Sequence, residues 1–154
     1  MRPLVAYYSK SGNTKKVAKA IAKELSADLD EIFDQKSRKG IINFIKSGRD
    51  ALKKIPTEIV FSKNPADYGL VLVGTPVWAG SLPPAVRTYL SQNKEKIKKF
   101  ALFATSGSGD NKNLPSLAEE ALGVKVSGYI EFKDETVQNP NLKNIVKEFT
   151  KKLI

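Results

Sequence analysis

The sequence LVAYYSKSGNTKKVAKAIAKEL occupies residues 4–25 and contains a short apolar run, a small polar loop and an amphipathic pattern, in that order. The apolar run ends at Tyr8. The pattern that follows the loop puts Val17, Ile21 and Leu25 on one face of a helix. This stretch therefore predicts a strand, a turn and a helix.

The loop between the predicted strand and helix has the composition of a phosphate site. The first N–H groups of a helix have no partners within it, and the aligned peptide dipoles leave partial positive charge there. Gly12 lets the backbone approach an anion closely. We therefore predict phosphate binding by Ser9, Lys10, Ser11, Gly12, Asn13 and Thr14. The simpler alternative is an ordinary strand-to-helix turn with Asn13 or Thr14 as the N-cap.

Length and composition limit the possible functions. The chain has 154 residues, of which 41% are hydrophobic, so we expect a single domain spanning residues 1–154. No apolar run approaches the length of a membrane span and no secretory signal is evident, so we expect a cytoplasmic protein. The chain contains no Cys and no His, which excludes Ser–His–Asp and Cys–His catalysis and removes the usual metal ligands. We assign no catalytic residue and no metal site, and redox chemistry would need an organic cofactor.

The net charge is +10, from 26 Lys and Arg against 16 Asp and Glu. Such a charge attracts nucleic acid, phosphorylated ligands or acidic proteins. The basic segment Lys36–Lys54 could follow a phosphate backbone, although few aromatic residues are interleaved with it. The lysines are otherwise scattered, which favours a solvated surface. A basic nucleic-acid-binding module therefore ranks as the alternative from another class.

Apolar runs alternate with helical patterns, which indicates an α/β fold. Five runs are predicted as strands: Leu4–Tyr8, Leu29–Phe33, Gly69–Val73, Phe100–Ala104 and Val124–Phe132. The first, third and fourth are continuously apolar, as in strands buried on both faces, whereas charged residues interrupt the other two, as at sheet edges. We predict a three-layer sandwich whose five-stranded parallel sheet has the order 2-1-3-4-5, with helices on both faces. Further helices are predicted within Lys36–Glu58, after Ser81 and Asn113 as N-caps, and after Pro140.

The loops that follow the first, third and fourth strands are all small, polar and rich in glycine. In an open parallel sheet, ligands bind beyond the carboxyl ends of the strands where the strand order reverses, and these loops line that crevice. A tryptophan in the second loop could stack on an aromatic ring, and backbone groups could bond its polar edge. We therefore add Pro76, Val77, Trp78, Ala79 and Gly80, and Ser106, Gly107, Ser108, Gly109 and Asp110, to the predicted site. The ligand expected is a flat aromatic ring with a phosphate tail.

The run Ser9–Thr14 resembles the FMN phosphate loop of flavodoxins, Ser/Thr-x-Ser/Thr-Gly-x-Thr, and residues 74–80 and 105–110 are similar to the family's second and third flavin loops. The resemblance covers essentially the whole chain. It implies a flavodoxin-like fold and noncovalently bound FMN, with the phosphate in the first loop and the ring between the other two. It also implies an electron-transfer protein that shuttles electrons between redox partner proteins, for which the basic charge suggests acidic surfaces. The alternative within the family is an FMN-dependent NAD(P)H or quinone-type oxidoreductase.

The sequence departs from that family in three ways. No aromatic residue lies between Thr105 and Asn113, the second loop lacks an acid, and the chain is basic where the family is usually acidic. We therefore expect one face of the flavin ring to be open. The sequence favours a carrier over a reductase without deciding between them, and it leaves the oligomeric state open.

Overall fold

The computed structural model describes residues 1–36 and 41–154, and of residues 41–44 it describes only the backbone. The strands in this part of the chain are β1 (Leu4–Tyr7), β2 (Asp28–Glu31), β3 (Phe33–Asp34), β4 (Ile59–Val60), β5 (Val71–Pro76), β6 (Phe100–Ser106) and β7 (Val126–Lys133). The helices are α1 (Asn13–Leu25), α2 (Ile41–Leu52), α3 (Pro84–Gln92), α4 (Leu114–Leu122), α5 (Asp134–Val137) and α6 (Leu142–Lys151). No helix in these ranges is both long and apolar enough to cross a bilayer.

Five strands form a parallel sheet of order β2-β1-β5-β6-β7, which confirms the predicted topology. The second strand differs most from its predicted bounds, Leu29–Phe33. The observed strand, β2, ends at Glu31, and β3 then pairs antiparallel with β4 outside the sheet. The chain leaves the parallel sheet after Ile32. The N–H of Ile32 still donates to Tyr7 O at 2.8 Å, and its side chain is buried.

The two faces of the sheet bury different side chains. On one face, β-strand residues such as Ala6, Val73 and Leu102 pack with α3 and α4. On the other face, residues such as Val5 and Phe103 pack with α1 and α6. Strands whose alternate residues enter two apolar layers must be apolar throughout, which is why the central runs are uninterrupted.

The helix termini differ from the predictions at several positions. Gly12, with φ 103, is the N-cap of α1, so neither Asn13 nor Thr14 caps it. The assignment of Ser81 as an N-cap is wrong, because α3 follows Pro83. Asn113 does precede α4, but its side chain makes no capping hydrogen bond. Its amide donates instead to Gly80 O, in the second loop.

Substitution of Gly74 by Ala should destabilise the fold. Gly74 lies opposite Phe103, and an added Cβ would lie 2.2 Å from Phe103 Cζ. Overpacking of this kind typically costs about 1–3 kcal/mol of unfolding free energy. Gly69→Ala is the matched control, since its Cβ would meet only Met1, at 3.6 Å. Urea denaturation of both variants measures the difference, and equal losses would contradict this account of the close contact.

Candidate functional site

The first loop leaves an open, positively polarised helix end. Ser9 Oγ accepts hydrogen bonds from the backbone N–H groups of Gly12 and Lys15, at 3.2 Å each. In the described part of the chain, apart from the two residues adjacent to Gly12, no atom lies within 4 Å of the position that a Gly12 Cβ would occupy, and the first turn of α1 contains no acidic residue. The loop therefore offers an anion both space and favourable electrostatics.

Two side chains of this loop bond to other parts of the protein. Thr14 is buried, and its hydroxyl shares a hydrogen bond of 2.8 Å with the hydroxyl of Thr105 at the end of β6. The Asn13 amide donates to Asp134 Oδ1 at 3.1 Å and accepts from Gln138 Nε2 at 3.2 Å. These contacts attach the start of α1 to β6 and to α5. Ser11 is exposed at the tip of the loop.

The second loop is a tight hairpin that holds Trp78. Trp78 and Ser81 exchange backbone hydrogen bonds of 3.0 and 2.9 Å. The two residues between them, Ala79 and Gly80, have φ values of 49 and 70, the positive values that a type I′ turn requires. Val77 N donates to Thr105 O at 3.2 Å, so the loop is also fixed to the end of β6.

Trp78 brings the first and second loops together. Its ring packs edge-to-face with Tyr8, with centroids 5.6 Å apart, and Lys10 Nζ lies 5.6 Å from its centroid. The second contact is a cation–π interaction. A cavity of about 290 Å³ adjoins the ring and is lined by Ile45, Gly48 and Arg49 of α2 together with Val77 and Trp78.

The third loop is built around a residue that the sequence analysis did not select, Glu131 at the end of β7. Its Oε1 accepts from Asn111 N at 2.8 Å, and its Oε2 accepts from Asn111 Nδ2 at 2.7 Å and from the Ser106 hydroxyl. The Tyr129 hydroxyl donates to Oε1 at 2.9 Å. Burial raises the pKa of Glu131, but hydrogen bonds from Ser106 and Asn111 outweigh burial and hold the pKa below its ordinary value.

The pattern of the last strand contained a signal that could have identified Glu131. Glu131 lies on the same face of β7 as Tyr129, at the carboxyl end, where the three loops meet. A partly buried carboxylate at that edge of a sheet needs donors, and the adjacent loop supplies them. Burial and the bond to Glu131 also raise the pKa of Tyr129, so the phenol remains a donor at neutral pH.

The remaining third-loop residues differ in exposure. Ser106 is buried, and its Oγ also accepts from Gly109 N at 2.8 Å. Gly107, Ser108 and Asp110 are exposed at the tip of the loop, and Lys112 Nζ lies 3.9 Å from Asp110 Oδ1. The structure thus brings all three predicted loops to one edge of the sheet, while their contact with a ligand stays a prediction.

Part of the basic segment Lys36–Lys54 is paired within the protein. Lys36 Nζ lies 3.1 Å from the buried carboxylate of Asp50, and Lys54 Nζ lies 2.9 Å from Glu120 Oε1. Arg38 and Lys39 lie outside the described residues. Cations engaged in internal ion pairs are less available to a phosphate backbone, which weakens the nucleic-acid interpretation.

Comparison with known proteins gives a consistent result. A family model described as Flavodoxin matches residues 2–152. A flavoprotein from Lactobacillus acidophilus NCFM, crystallised in complex with FMN, is 28% identical; the alignment covers 97% of this chain and 98% of that chain, with a TM-score of 0.75. The apo-form of the flavoprotein from the same organism, solved by NMR, is 30% identical over 84% of this chain and 91% of that chain, with a TM-score of 0.63.

A more distant structure shares the fold. The two-electron reduced flavodoxin of Megasphaera elsdenii is 18% identical, with 97% of this chain and 99% of that chain covered and a TM-score of 0.60. None of the curated proteins is a significant match.

The buried hydroxyl pair of Thr14 and Thr105 should show strong coupling. Thr14→Val leaves the Thr105 hydroxyl buried without its partner, which costs about 1–3 kcal/mol, and Thr105→Val does the same in reverse. The double variant buries no unpaired hydroxyl at this contact. Its loss of unfolding free energy should therefore be clearly smaller than the sum of the losses in the two single variants. Urea denaturation without added ligand measures all three variants. Additive losses would show that the pair does not act as a unit.

Proposed function

Because this chain belongs to the flavodoxin family, we propose that it binds FMN and transfers electrons between redox partner proteins. The observation that carries the proposal is the meeting of three loops beyond β1, β5 and β6, with Trp78 beside the phosphate-type loop. The FMN complex of the Lactobacillus relative supports the choice of cofactor. Bound FMN would supply one- and two-electron redox chemistry, and the protein would bind, orient and electrostatically tune it.

The residues of the first loop fit a phosphate, and their existing hydrogen bonds indicate which groups would bind it. The hydroxyls of Ser9 and Thr14 and the amide of Asn13 already have protein partners. The phosphate would therefore be held mainly by the exposed Ser11 hydroxyl and by backbone N–H groups of the loop other than those of Gly12 and Lys15, which donate to Ser9. Lys10 would add positive charge near both the phosphate and the ring.

The other two loops would hold the ring. Trp78 presents a large aromatic surface that its hairpin keeps in place, and the exposed tip of the third loop offers backbone donors and acceptors. With no aromatic residue in the third loop, the ring face on that side would stay accessible to a partner. The net charge of +10 favours a partner with an acidic surface.

A second candidate function follows from the cavity beside Trp78. At about 290 Å³, it lies near the lower end of the range of ligand pockets, roughly 300–1,000 Å³. It suits a compound with one or two rings better than a complete dinucleotide. An FMN-dependent reductase of small quinone-type compounds is therefore the alternative to a carrier.

Cofactor binding is tested by titrating the apoprotein with FMN and with riboflavin. We expect FMN to bind much more tightly, because riboflavin lacks the phosphate. Ser11→Ala should weaken FMN binding about tenfold, the value of one hydrogen bond to a charged group, and leave riboflavin binding unchanged. Ser127→Ala, at an exposed position on β7, is the matched control. Equal affinity for the two flavins in the unaltered protein would refute the phosphate site.

Stopped-flow mixing of the FMN-loaded protein with NADH or NADPH separates the carrier from the reductase. A carrier should show no bleaching of the flavin absorbance with either nucleotide, and the cavity of about 290 Å³ that the described residues form beside Trp78 is small for a complete dinucleotide. Rapid bleaching followed by reoxidation with a small quinone would instead support the reductase. In that case Gly48→Phe, which fills the cavity beside Trp78, should suppress quinone reoxidation and leave FMN affinity intact.

A further inference from the structure

The carboxylate of Glu131 on β7 accepts hydrogen bonds that fix the third loop. The loop contains glycines, serines and an asparagine, and such a segment loses much conformational entropy when it is ordered. One carboxylate compensates by accepting from the Ser106 hydroxyl, from two groups of Asn111 and from the Tyr129 hydroxyl. The Tyr129 hydroxyl also lies 3.2 Å from Asn111 O.

The network of Glu131 continues to the tip of the loop. Ser106 donates to the carboxylate and accepts from Gly109 N at 2.8 Å, so one hydroxyl connects the strand end to the exposed turn. Asn111 Nδ2 also lies 3.4 Å from Ser108 Oγ. Two side chains of the neighbouring strand, Glu131 and Tyr129, therefore bond the loop, and Glu131 accepts most of these hydrogen bonds.

The charge of Glu131 is fixed in place, unlike that of its neighbours. It is partly buried and has donors on both oxygens, whereas Lys112, Asp110 and Lys133 are exposed. Solvent and salt screen exposed charges more than partly buried ones. Asp134 also lies near the loop, since its Oδ2 would be 3.9 Å from a Cβ on Gly107, but Asp134 is exposed. Glu131 is therefore the better shielded of these two carboxylates at the third loop, in a chain that is strongly basic.

We propose that Glu131 is a positioning residue that fixes the third loop against the flavin ring and that its negative charge lowers the reduction potential of the bound flavin. This inference rests on the proposed function. Each electron added to the flavin increases the negative charge of the site unless a proton follows, and a fixed carboxylate nearby disfavours that increase. The fold thus places this carboxylate at the third loop, where it opposes the positive charge that Lys10 contributes beside Trp78.

Three variants separate the two roles. Glu131→Gln keeps the shape of the side chain but removes its charge and part of its capacity to accept hydrogen bonds. FMN affinity should therefore fall about tenfold, which corresponds to the loss of one hydrogen bond to a charged group. Because the negative charge is gone, the lower of the two one-electron reduction potentials of the flavin should rise. Tyr129→Phe removes one donor and keeps the charge, so it should weaken FMN binding with little change in potential. Glu119→Gln is the matched control, since Glu119 accepts from Val126 N at the opposite end of β7.

The measurements are FMN titration, potentiometry of the loaded protein and the amide NMR spectrum of the apoprotein. In the apoprotein, Glu131→Gln should shift or broaden the signals of Gly107 and Gly109, and Glu119→Gln should not. Unchanged affinity and potential in Glu131→Gln, or an equal change of potential in Glu119→Gln, would overturn the inference.

If Glu131→Gln does not fold, Tyr129→Phe and Ser106→Ala decide, and unchanged FMN affinity in both would overturn it. Failure of the unaltered protein to bind FMN would refute the proposed function instead.

Discussion

The structure depends on the parallel pairing of β1 with β2 on one side and with β5 on the other. Parallel strands need crossover connections, and the connections that leave β1 and β5 run in opposite directions along the sheet. The carboxyl ends of β1, β5 and β6 therefore open into one crevice. The hydrogen bond from Tyr8 N to Gly74 O extends this pairing to the mouth of the crevice.

The loops around the crevice use their side chains mostly to hold one another. Thr14 bonds Thr105, Asn13 bonds Asp134, and Asn113 reaches the second loop at Gly80. These hydrogen bonds fix the loops relative to one another before any ligand binds. Preorganisation of this kind lowers the entropy lost on binding, which favours a tightly held cofactor.

The electrostatics of the site combine opposite contributions. Lys10 beside Trp78 and the high net charge favour anionic groups, while the carboxylate of Glu131 lies behind the third loop. A partly buried carboxylate with several donors stays ionised, so its effect persists at neutral pH. The basic exterior and the fixed internal charge would thus act on different properties, the former on partner association and the latter on the cofactor.

The sequence alone determined the strand order, the edge strands and the family, because buried parallel strands require uninterrupted apolar runs and because the Ser9–Thr14 motif is local in the chain. It could not show that Thr14 faces Thr105, that Ser81 closes the Trp78 hairpin, or which third-loop groups donate to Glu131. Each of these contacts joins residues whose roles depend on long-range packing or on backbone geometry at a single turn. Only the tertiary structure decided them, since a hydrogen bond requires two groups within about 3 Å, and the spacing of residues along the chain does not set that distance.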